Sequence, residues 1–60
     1  MKYIVKDHTQ EKEFEFSWFK EAQEFFYEYR QENSFSHITL SKQGWESNTE
    51  SNIIATYYPD

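Results

Sequence analysis

Cysteine is missing from these 60 residues, which excludes a disulfide staple and any thiolate metal site. The single glycine and single proline, Gly44 and Pro59, exclude a glycine-rich phosphate loop and leave Asn, Ser, Asp and Gln to make the turns. Cations are scarce, with six Lys and Arg against eleven Asp and Glu and a net charge of -5. That balance opposes direct binding to a nucleic-acid backbone, which needs clustered basic side chains, and opposes docking on an anionic membrane. Long apolar runs are absent too. The start, Met1-Lys2-Tyr3-Ile4-Val5-Lys6-Asp7, has three apolar residues in a row before a charge, too few for a secretory segment or a membrane span. No Asn-X-Ser/Thr acceptor occurs. The expectation is one cytoplasmic domain over residues 1–60, with no cofactor and no membrane contact.

What the chain has in excess is aromatic rings: six Phe, five Tyr and two Trp. A chain this short buries only about 60% of the surface it exposes when unfolded, so its core must be dense or shared with a partner. Each ring can bury ~150–250 Å², so a few suffice for a core. Tyrosines also tolerate partial exposure and suit interfaces.

Apolar periodicity divides the chain into five elements. Residues 2–7 alternate as a strand, with Tyr3 and Val5 on one face and Lys2, Ile4 and Lys6 on the other. His8 to Lys12 is a polar connection of hairpin length, and Glu13-Phe14-Glu15-Phe16 alternates as a second strand. Ser17 is the expected helix N-cap, with Trp18 to about Glu32 free of Gly, Pro and β-branched residues. At ~100° per residue, Trp18, Phe19, Ala22, Phe25, Phe26 and Tyr29 form an apolar arc. Glu21, Glu24, Glu28 and Glu32 form an acidic stripe, and Tyr27 points almost opposite the apolar arc. Arg30 complements the helix dipole, and Asn33 is expected to end the helix in the left-handed conformation. A third strand follows from Ser36 to Lys42, with Ile38 and Leu40 inward. Residues 43–51 are a polar loop holding Trp45. The fourth strand runs from Asn52 to Tyr58, with Ile53, Ala55 and Tyr57 facing the helix and Ile54, Thr56 and Tyr58 facing away.

A helical crossover makes strands two and three parallel in direction. Placing strand one between them gives an antiparallel sheet in the order 2-1-3-4 and allows the usual right-handed path. The fold class is therefore α+β, a two-layer sandwich with one helix covering one sheet face.

Catalytic motifs are absent: no glycine-rich loop, no cysteine nucleophile and no G-x-S-x-G elbow. His8, beside Asp7 and Glu11, and His37 read as solvated turn and strand histidines. Glu13 and Glu15 read as a wet strand face, because nothing predicts a groove beside them and the fold is expected to leave no hollow for a substrate. The chain is thus expected to lack enzymatic activity; a small hydrolase would require a concavity near a histidine or a carboxylate pair.

Three features point to binding. Trp45 in its polar loop, Tyr27 on the outer side of the helix and Tyr58 on the outer sheet face are candidate anchors for a protein partner. The stripe Glu21, Glu24, Glu28 and Glu32 offers an acidic surface that could imitate nucleic-acid phosphates in a basic groove. The outer sheet face, with Ile4, Ile54, Thr39, Thr56 and Tyr58 among Lys2, Lys6, Glu13 and Glu15, could pair two copies.

The run Lys2-Tyr3-Ile4-Val5, the Phe-x-Phe strand entering a helix through Ser17, Glu21-Ala22 followed by Phe25-Phe26, and the closing Ile-Ile-x-x-Tyr-Tyr together resemble small β-β-α-β-β proteins encoded by phages and prophages. The resemblance implies an accessory regulator or an inhibitor of a host enzyme and supplies no functional residues. The leading expectation is a non-enzymatic accessory protein acting by protein–protein binding, with a homodimer as one form. The alternatives are an acidic nucleic-acid mimic and a structural dimerisation module.

Overall fold

The computed structural model describes residues 2–43 and 52–59. Its order is β1 (Lys2–Asp7), β2 (Lys12–Phe16), α1 (Phe19–Glu32), β3 (Ile38–Gln43) and β4 (Asn52–Tyr57). The four strands form one antiparallel sheet in the order β2-β1-β3-β4, and α1 lies on one face. This is the α+β two-layer arrangement that the alternating strands and the amphipathic helix require.

The core sits between α1 and the two central strands. Val5, Ala22, Phe26, Ile38 and Leu40 are buried, and Tyr3, Phe14, Phe16, Phe25, Tyr29, Ala55 and Tyr57 pack around them. Phe25 lies 4.7 Å from the Phe14 ring and 5.1 Å from Phe16, which fixes α1 to the β2 side of the sheet. Such tilted ring pairs add about 0.5–1.5 kcal/mol each beyond their area burial.

The helix begins one residue later than Ser17 would set it. Trp18 occupies the N-cap position with extended backbone and no side-chain cap, and its carbonyl accepts the Ala22 N–H at 3.1 Å. Trp18 consequently leaves the apolar stripe and stands 69% exposed, while Phe19 keeps an edge contact with Tyr3 at 5.6 Å. The other end differs as well. Asn33 is not left-handed, at φ -124°, and instead donates both its N–H and its Nδ2 to the Tyr29 carbonyl.

The last strand carries a β-bulge opposite Leu40 and Ser41. Ala55 pairs with Leu40 and Tyr57 with Ile38, so both face α1 as expected. Ile53, however, pairs with Ser41, and Ile54 is the extra residue between them. The extra residue moves Ile53 onto the face away from the helix, reversing its expected side.

Candidate functional site: the open sheet face

No element covers the sheet face opposite α1 among the described residues, and strand twist makes that face concave. It forms a shallow trough of about 670 Å³. The expectation that the fold leaves no hollow is therefore corrected, since His8, His37, Glu13 and Glu15 all line this trough. Its floor comes from alternate residues of the central strands, such as Ile4, Thr39 and Ser41, which the pleat turns away from the core.

At one end three rings stack in series. His8 and His37 lie 4.6 Å apart, and His37 lies 4.6 Å from Tyr58 at an interplanar angle of 14°. The backbone sets up this stack: the His8 N–H donates to the His37 carbonyl at 2.8 Å, and the His37 N–H donates to Thr9 Oγ1 at 2.9 Å. His8 Nε2 is 2.9 Å from Thr39 Oγ1. Desolvation lowers the His8 pKa, and repulsion from His37 and Lys6 lowers it further against a smaller opposing pull from Asp7. His8 therefore favours its neutral form. Stacked imidazoles direct their lone pairs along parallel planes, so this pair does not converge on one metal ion. Among the described residues no group of three or more His, Asp or Glu side chains could hold one.

Charges occupy the opposite side of the trough in balanced pairs. Lys2 Nζ lies 3.4 Å from Glu15 Oε1, and Lys6 stands directly across from Glu13 on β2. The β4 side is apolar and exposed, with Ile53 at 63% and Tyr58 at 69%.

Beneath the turn, on the helix side, sits a feature that sequence reading missed. Asp7 is fully buried and accepts four hydrogen bonds: Tyr29 Oη at 2.6 Å, Gln10 Nε2 at 2.9 Å, Gln10 N at 2.9 Å and Thr9 N at 3.0 Å. Burial alone would raise its pKa, but these donors, with the Ser36 hydroxyl, outweigh it and hold the carboxyl below the ordinary value. Tyr29 answers in the other sense, pushed up to about 12 by burial and by the neighbouring carboxylate. The signal was the alternation itself, because Tyr3 and Val5 on the inner face put Asp7 there too.

The residues singled out from sequence scatter. Tyr58 lies on the open sheet face, whereas Tyr27 lies on the helix layer, 46% exposed, with the Arg30 guanidinium 5.0 Å from its ring. Trp45 lies outside the described residues. Glu21, Glu24, Glu28 and Glu32 are all exposed along α1. No described helix is long and apolar enough to cross a membrane. Comparison with protein-family models, curated proteins and solved structures finds no match to this chain.

Proposed function

We propose that this chain is a small non-enzymatic accessory protein that works by protein–protein contact, and that its open sheet face receives a second copy of itself. The observation that carries this reading is the charge balance of that face. The chain as a whole has a net charge of -5, which makes two copies repel. The open face alone sets two lysines, Lys2 and Lys6, against two glutamates, Glu13 and Glu15. Two copies can therefore meet there without bringing like charge together, while the excess acid stays on the outer surfaces. Ile53 and Tyr58 supply exposed apolar area beside those charges. A face-to-face contact suits this surface better than pairing of β2 edges. Antiparallel β2 strands centred on Phe14 would set Glu13 of one copy against Glu15 of the other, and like charges directly opposite are unfavourable.

Amide spectra recorded over a dilution series test this. Concentration-dependent shifts confined to Ile4, Thr39, Ser41, Ile53 and Thr56 support the reading. Spectra that do not change with concentration contradict it.

A second reading, an acidic decoy for a nucleic-acid-binding groove, draws on the exposure of Glu21, Glu24, Glu28 and Glu32. Binding of such a decoy to a basic target would weaken steeply with added salt and with Gln at those four positions. Salt-insensitive binding would remove it.

A further inference from the structure

The side chains of the open sheet face are ordered in rows across the strands. Ile4, Ser41 and Ile53 form one row, with Glu15 at its β2 end. Lys6, Thr39 and Thr56 form the next, with Glu13 at its β2 end. His8, His37 and Tyr58 form the row that closes one end of the trough. The balance of two lysines against two glutamates on this face therefore includes two imidazoles. It holds only while both rings are neutral.

The surroundings of the histidine pair oppose a proton. On β1, Lys6 shares the face with His8, while Asp7 is turned to the helix side and bound by Tyr29 of α1. On the turn and β2, Glu11, Lys12 and Glu13 border His8, all exposed to solvent. On β3, Thr39 holds His8 Nε2, and on β4 the Tyr58 ring covers His37. No carboxylate lies within ion-pair distance of either imidazole among the described residues. His37 Nε2 is buried with no partner among them, so a ring protonated at both nitrogens has an N–H with nowhere to donate. The rings are 4.6 Å apart, so a charge on one repels a charge on the other.

We propose that the His8–His37 pair is a pH control on the open sheet face, which joins two copies while the imidazoles are neutral and releases them when the pair takes up a proton. The proposal rests on the self-association reading above and supplies its regulation. Two costs act in the same direction. A proton gives the face a net positive charge, so two copies present like charge to each other. It also puts an ion at the end of the trough, and covering that ion requires stripping its water. Pairing therefore expels the proton, and affinity rises with pH through the histidine range. The sign is opposite to the one whole-chain charge predicts. Each proton brings the net charge of -5 nearer to zero, which by itself would ease the approach of two copies.

Sedimentation equilibrium of the full chain, from pH ~8 to pH ~5, tests this over the span in which histidine changes charge. The association constant should fall about tenfold or more toward the acid end, while circular dichroism stays constant. His8→Gln with His37→Gln should pair with an affinity that no longer follows pH. Glu13→Gln leaves the face with one positive charge in excess, and should weaken pairing about tenfold already at pH ~8 although the chain is then less acidic. A wild type that does not pair at pH ~8 would remove the self-association reading and this proposal with it. A wild type that pairs there and keeps or gains affinity in acid would overturn the proposal alone. A loss that follows unfolding in the circular dichroism, a double histidine variant that keeps the whole acid loss, or a Glu13→Gln variant as tight as the wild type would each overturn it too.

Discussion

The Tyr29 hydroxyl donates a 2.6 Å hydrogen bond to Asp7 Oδ2, tying the last turn of α1 to the first hairpin. Around that bond, the side-chain amide of Gln10 reaches Asp7, Asn33 and Ser36 at 2.9–3.2 Å, sharing two hydrogens among three acceptors. The first turn, the helix end and the entry to β3 are thereby one polar knot. Removing the carboxylate in Asp7→Ala leaves buried donors unpaired and should cost about 3 kcal/mol or more. Tyr29→Phe, which deletes a single bond to a charged group, should cost about 1.5–3 kcal/mol. Urea midpoints measure both, and equal stability of the wild type and Asp7→Ala would refute the role assigned to the knot.

The same pair fixes the response to extreme pH. The folded-state pKa of Asp7 is depressed, so its contribution is complete above the unfolded carboxylate value of 3.8 and is lost as pH falls through the lower folded value. The pKa of Tyr29 is raised to about 12, so its contribution is complete below the ordinary value of 10.0 and is lost as pH climbs toward 12. Thermal melts across pH should show that alkaline loss in the wild type and not in Tyr29→Phe.

His8 controls a third, milder window. Its pKa is lowered from 6.5, so the stacked arrangement is favoured above that value and weakens as pH falls through the folded value. The His8 Cε1 proton should titrate below the ordinary histidine range. In Lys6→Gln it should titrate higher, because one repelling charge is gone. An unchanged titration in that variant would show that Lys6 does not act on the ring.

Two backbone positions are open to improvement. Trp18 caps α1 with no side-chain oxygen, so Trp18→Asp should stabilise the chain by about 0.5–2 kcal/mol. Glu11 holds φ 57° in the first turn, where a side chain is unfavourable and Gly is not. Glu11→Gly should stabilise modestly despite the added freedom of its unfolded chain. Chemical denaturation reads both, and a destabilised Glu11→Gly would show that the side chain itself matters there.

Much of the architecture was legible because two periodicities were clean. Alternation in Tyr3-Ile4-Val5 and Phe14-Glu15-Phe16, with the helical spacing of Ala22, Phe25, Phe26 and Tyr29, specified the elements. Handedness then gave the strand order. Trp18 was misread because one residue of cap shift removes a side chain from the helix altogether. Ile53 was misread because a bulge adds a residue without leaving a mark in the alternation. The alternation of Tyr3 and Val5 placed Asp7 inward, but its bond to Tyr29 was out of reach for a different reason. It joins residues 22 positions apart, a juxtaposition created by the fold and not by local pattern.

The central functional claim is that the open sheet face binds its own copy, and sedimentation velocity over a wide concentration range tests it most directly. The wild type should pass from the mass of one chain to that of two as concentration rises, and Ile53→Asp, at a site 63% exposed, should stay folded and remain at one. A wild type that stays at the mass of one chain at every concentration, or an Ile53→Asp variant that pairs as readily, would contradict it.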